Sequence, residues 1–211
     1  MSPEPSGLYY PNRLARAFFV AMDDVMGKHG LSELLQLAGM PQFEGAFPPD
    51  NLERTFDFAY ISALHVALED MYGQRGGRGM ALRIGSAAFA QGFKNFGALR
   101  SLSDPRFRSQ PLERRVELGL KALAHVLTHF TDQTSSMGAQ ERTFTFHCEL
   151  SPFAYGRVSD KPVCHAMVGM LQECLRLASN GYEFYVRETA CRACGDTECT
   201  FRINKAPIGG K

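Results

Sequence analysis

The sequence predicts an α/β protein of the α+β kind, with helices packed on an antiparallel sheet. Three observations predict it. Up to residue 132 the apolar side chains recur at helical spacing. From Arg142 onward they alternate with polar ones, as on a half-buried strand. The run Glu188-Thr-Ala-Cys191-Arg-Ala-Cys194-Gly195-Asp-Thr-Glu-Cys199 then places a Gly-Asp turn between two alternating flanks, the pattern of a β-hairpin.

Taken in order, residues 1–10 read as a loose arm. Pro11 and Asn12 open a helix with the stripe Leu14, Phe18, Met22 and Val25, which Gly27 and Gly30 end. A short helix over 31–38 and a Gly- and Pro-rich loop follow. Asp57 suits the cap of a third helix carrying Phe58, Ile61, Leu64, Leu68 and Met71 on one face. The segment from Tyr72 to Gly79 is Gly-rich but lacks the Gly-Lys-Ser/Thr of a phosphate loop, so it reads as a flexible turn between helices. The next helix, 80–96, shows Ala81, Gly85, Ala88 and Gly92 on one face, small enough to let another backbone approach. Its far end is aromatic, with Phe89, Phe93 and Phe96.

After a loop with Asp104-Pro105, a helix from Leu112 to Phe130 carries Val116, Leu120, Leu123 and Leu127. His125 and His129 share its face at i, i+4, but no third ligand stands beside them, and exposed or packed histidines are the reading. The polar stretch 133–140 reads as a hinge between a helical half, 11–132, and an α/β half, 140–205, of one domain spanning 11–205. A strand follows with Phe144, Phe146, Cys148 and Leu150 on one face. Pro162 suits the first turn of a last helix, which Asn180-Gly181 stops, and residues 206–211 form a tail.

Composition narrows the function. The 211 residues carry 23 basic and 22 acidic side chains, a formal net charge of +1, so neither nucleic acid nor an anionic membrane surface is implied as a partner. No apolar run is long enough to span a membrane, and the opening residues lack a basic segment followed by an apolar one. A cytoplasmic, reducing setting is the expectation, in which clustered cysteines are read as metal ligands or reactive thiols before disulfides.

The hairpin places Phe184, Val186 and Glu188 in one phase, and Cys199, Phe201 and Ile203 in one phase. An inward carboxylate needs a partner. The last helix rises roughly 24 Å and the strand from Gly181 returns roughly 30 Å, so Cys164 and Cys191 come to one end of the fold. A zinc site of Cys164, Glu188, Cys191 and Cys199 follows, with Cys194 as the alternative ligand because Cys191-x-x-Cys194 is a zinc-knuckle spacing. Cys148 and Cys174 read as buried core. A closed set of four ligands would be structural, without an open position for catalysis. Sixteen Phe without a Trp suggest an aromatic interior, in which Phe93, Phe96, Phe130, Phe144 and Phe146, with Val168 on the last helix, are the candidate ligand-binding residues.

The stretch Pro162-Val-Cys164-His-Ala-Met-Val-Gly169-Met-Leu-Gln-Glu173, with the hairpin Glu188-x-x-Cys191-x-Ala-Cys194-Gly195-Asp-x-x-Cys199-x-Phe201-x-Ile203, resembles the bacterial 4-vinyl-reductase-like, or hydrocarbon-binding, domain. Looser likeness extends over Tyr9–Arg13 and Tyr72–Gly97. The resemblance implies a fold similar to small TRAPP-complex subunits, often homodimeric. It is also shared with sensor domains of phenol- and xylene-responsive regulators, which bind an aromatic effector internally. Those sensors hold zinc with three cysteines and a glutamate, matching Cys164, Glu188, Cys191 and Cys199. Other members are linked to vinyl reduction in bacteriochlorophyll biosynthesis, but no Gly-x-Gly-x-x-Gly or flavin signature is present here. Binding or carriage of a hydrocarbon, lipid or tetrapyrrole is therefore expected ahead of vinyl reductase activity or a dimeric scaffold role.

Overall fold

The computed structural model describes residues 3–209. Strand β1, Tyr9–Pro11, pairs antiparallel with β2, Arg54–Asp57, and between them runs α1, Asn12–Leu37, which kinks at Gly27. The arm is thus not loose at its end. Ser6 and Gly7 donate to the Asp57 carboxylate, and Tyr10 is fully buried with its hydroxyl on Gln133. Asp57 also caps α2, Phe58–Gln91, accepting from the Ala59 amide at 2.7 Å, the role its sequence position implied.

Within α2 the helix breaks at Gly73 alone, where φ is +68°. This corrects the longer flexible turn expected over Tyr72–Gly79. Gln74 to Gly79 are helical, and one left-handed residue, which glycine adopts without strain, makes the whole turn. The turn is sharp. A methyl built on Gly77 would lie 2.8 Å from the Glu69 Cα, so the second segment folds back against the end of the first.

A 3₁₀ passage and the short α3, Pro105–Arg108, lead to α4, Leu112–Phe130. The second sheet is fully antiparallel in the order β3-β4-β6-β5, from Ser135–Ala139, Thr143–Cys148, Cys199–Pro207 and Phe184–Ala190. The hinge expected at 133–140 is therefore mostly β3, paired residue for residue with β4 from Ser135↔Cys148 to Ala139↔Phe144. Pairing, not local preference, makes this polar stretch a strand.

The inner face of the sheet stacks Phe144 on Ile203, Phe146 on Phe201 and Cys148 on Cys199. Over it lies α5, His165–Ser179, ended by Asn180 in the left-handed region. Helix α5 starts later than Pro162 suggested, which puts Cys164 at its N-cap. It crosses the second segment of α2 at touching distance, through Gly85 and Gly169. Among the described residues, no helix is long and apolar enough to cross a membrane.

Candidate metal centre and adjoining cleft

At the turn end of the hairpin, four buried donors converge. The sulfurs of Cys164, Cys191 and Cys199 and a carboxylate oxygen of Glu188 all lie within 4.8 Å of one another. Each comes from a different local device. Cys164 is held at the α5 N-cap, where its amide donates to Glu188 Oε2 at 2.9 Å. Glu188 faces inward by strand alternation on β5. Cys191 begins the 3₁₀ turn Arg192–Cys194, which the Asp196 carboxylate fastens by accepting from the Cys191 amide at 2.7 Å. Cys199 starts β6, and its sulfur accepts from the Arg192 amide at 3.4 Å.

The donor set suits a tetrahedral thiophilic cation. Cys164 and Cys199 sulfurs are 3.6 Å apart, close to the roughly 3.8 Å that two sulfurs about 2.3 Å from one zinc would show. Glu188 Oε1 is buried and has no hydrogen-bond partner, an uncompensated state that a bound cation would relieve. Titration tells the same story. Burial pushes the Glu188 carboxyl up to about 8 and the Cys164 thiol well above its ordinary range. Hydrogen bonds from the Cys164 and Cys199 thiols pull Cys191 strongly down. Without a cation the cluster resists carrying several negative charges in one buried place; a divalent ion removes that conflict.

Cys194, the alternative ligand, is exposed and stands outside the four-atom group. Cys148 and Cys174 are core, as expected; burial pushes Cys148 up to about 12, and Cys174 sits against the Gly119 carbonyl. His125 and His129 stack on each other at the exposed surface of α4.

The aromatic residues are gathered but tightly packed. Phe93, Phe144 and Phe146 are fully buried and Phe96 nearly so. Phe96 meets Phe130 edge-on at 4.6 Å, and Phe93 meets Phe18 at 5.6 Å. Val168 instead faces a cleft of about 900 Å³ whose wall includes Glu188. That cleft was not read from the sequence. Its basic lining comes from Arg75 and Arg78 after the α2 turn, Lys161 before α5, and Arg187 on β5. The available signal was an Arg-x-x-Arg spacing just past a helix-breaking glycine.

Residues 144–205, which hold all four donors, match the 4-vinyl-reductase domain, bearing out the resemblance read from the sequence over that stretch. No curated protein matches the chain. Among solved structures, the phenol-responsive sensory domain of the transcription activator PoxR, bound to phenol, is similar with a TM-score of 0.54 at 18% identity, over 82% of this chain and 88% of that one. An H-NOX protein from a study of heme distortion has a TM-score of 0.58 at 15% identity, over 95% and 98%. The Fe(II) unliganded H-NOX protein from K. algicida has a TM-score of 0.56 at 16% identity, over 95% and 99%. At these identities the likeness is one of fold: helices on an antiparallel sheet, an architecture that sensory domains use.

Proposed function

We propose that the chain is a small-molecule-binding sensory domain, in which a zinc ion held by Cys164, Glu188, Cys191 and Cys199 staples the C-terminal hairpin to the start of α5. An apolar or aromatic ligand binds beneath the sheet, against Phe93, Phe96, Phe130, Phe144, Phe146 and Val168. The observation that carries this reading is the closed, buried four-donor cluster, set within the 4-vinyl-reductase stretch of a fold shared with a phenol-responsive sensory domain. A site with all four positions taken by protein leaves none for water or substrate, so the metal is structural. When bound, it would hold the three sulfurs as thiolates and give Glu188 Oε1 its missing partner.

The aromatic cluster supplies the ligand chemistry. Stacked and edge-on rings accept a further ring at little loss, since the guest replaces one aromatic contact with another. Phe130, half-buried at the end of α4 and resting on Phe96, is the ring that moves to admit it.

Metal analysis of the purified protein, with native mass spectrometry of what co-purifies, tests both parts. One zinc per chain and a rise in melting temperature with phenol or toluene are expected. A zinc-loaded protein indifferent to neutral aromatics and lipids would sink the ligand reading. A protein that folds and melts identically after chelation would sink the staple.

A further inference from the structure

The cleft beside the metal centre has a chemistry of its own. Three separate segments meet there: the start of the second α2 segment, the 159–163 loop, and edge strand β5. Arg75, Arg78, Lys161 and Arg187 all line it, and among the described residues none of the four takes part in a salt bridge. The acidic groups on the same wall are mostly engaged elsewhere. Glu69 pairs with Arg157 at 2.6 Å, and Glu188 belongs to the metal cluster, which leaves Asp160. A chain whose formal net charge is only +1 has thus gathered four cations around one concavity. Like charges so placed repel, and an anion between them removes the repulsion.

Two further features fit a ligand. Amides at the start of the second α2 segment, which begins at Gln74, favour negative charge at that end of the cleft. Between the cations the wall is apolar, with Leu82, Val168 and the ring of Tyr185. A volume of about 900 Å³ lies within the range of small-molecule sites, roughly 300–1,000 Å³. Guanidinium groups recognise planar or tetrahedral oxyanions through paired N–H donors.

We infer that this cleft binds an amphipathic organic anion: a molecule with carboxylate or phosphate groups on an apolar body. The inference goes beyond the aromatic site proposed above, since it concerns a different concavity and a ligand of different polarity. The body lies along Leu82, Val168 and Tyr185, and the oxyanion is held between the α2 arginines and Arg187.

Calorimetric titration with three probes that share one ring system tests it: 1-naphthoate, 1-naphthyl phosphate and the neutral 1-naphthalenemethanol. The anions are expected to bind at least about tenfold more tightly than the alcohol, and the tighter of the two identifies the head group. Raising the salt from about 0.05 to 0.5 M should weaken the anions and spare the alcohol. R75Q/R78Q should lower anion affinity about tenfold, and R187Q should do so by a smaller factor. Metal content and melting temperature, measured on every variant, show that the fold is intact. Equal binding of alcohol and anions, no binding of either anion, or unchanged anion affinity in R75Q/R78Q would overturn the cleft assignment. The thermal response to phenol separates the two readings: it survives in R75Q/R78Q if the aromatic site stands, whatever happens to the anions.

Discussion

A methyl group built on Gly85 would lie 2.0 Å from the carbonyl oxygen of Ala166, so α2 and α5 meet backbone against backbone. The contact is reciprocal, because a methyl on Gly169 would lie 2.1 Å from the Leu82 carbonyl oxygen. This crossing fixes α5, and with it Cys164, against the rest of the fold.

Gly85→Ala must push two helix backbones apart. Overpacking of this kind costs about 1–3 kcal/mol, more than the roughly 1 kcal/mol that alanine gains over glycine in a helix. Gly79, on the same helix segment, has nothing within 4 Å of its added methyl. Denaturant melts should therefore show Gly79→Ala stabilised and Gly85→Ala destabilised. Equal shifts in the two variants would contradict the close crossing.

The four-donor cluster predicts a sharp division among the cysteines. Cys164→Ser removes a donor that also ties α5 to the hairpin, and should abolish stoichiometric zinc and lower the melting temperature by about 10 °C or more. Cys194→Ser, on an exposed thiol outside the group, should keep full zinc and an unchanged melt. Metal loss in Cys194→Ser would transfer the ligand role to that residue. Glu188→Gln should retain the metal with weaker affinity, since one neutral oxygen remains.

His65 predicts an acid-side loss of stability. It is buried on α2, its Nδ1 donates to the Ile61 carbonyl at 2.8 Å, and its Nε2 has no partner. Burial, and then the nearby Arg157 charge, push it down to about 4 against a hydrogen bond from the backbone that acts the other way. Between that value and the ordinary value of about 6.5, the unfolded chain binds the proton and the folded one does not. Stability therefore rises with pH through this window, and about 1.4 kcal/mol is lost on going from pH 7.5 to 5.5. His65→Phe, which keeps a ring against Phe153, should flatten that part of the profile, read as the difference between variant and parent at matched zinc content. Parallel profiles would show that His65 does not carry the effect.

Much of this site was legible because its signals are local. Strand alternation alone puts Glu188 and Cys199 on the inner face, and a helix followed by a tight turn returns Cys191 to Cys164. The Asp57 cap and the Asn180-Gly181 stop are equally short-range. What escaped was made by pairing over distance. Tyr9–Pro11 is too short to announce a strand and becomes one only against Arg54–Asp57. Ser135–Ala139 is polar and Gly-containing, yet the exposed edge of β4 fixes it as a strand. The basic cleft draws on three segments whose meeting depends on the turn at Gly73, and no sequence period encodes that.

The N-terminal segment supplies a last test of how the fold is closed. Asp57 is buried and accepts from the Ala59 amide, the Ser6 amide and hydroxyl, and the Gly7 amide. It is at once a helix cap and the clasp of the arm. Losing a cap costs about 1 kcal/mol, and leaving further buried donors unpaired adds about 1–3 kcal/mol. Asp57→Ala should therefore lower the melting temperature by roughly 6–12 °C. Ser6→Ala, which removes one donor and leaves the cap, should cost only a small part of that. Hydrogen exchange distinguishes clasp from cap: faster exchange at Tyr9 and Phe58, whose amides the arm engages, marks release of the arm, whereas exchange confined to the first turn of α2 would reduce Asp57 to a cap. Because Tyr10 reaches from this arm to Gln133, and Gln133 to Cys148 at 3.1 Å, release at Asp57 should also loosen the buried polar contact behind β4. Chemical labelling of Cys148 should then rise in Asp57→Ala and stay at the parent rate in Ser6→Ala.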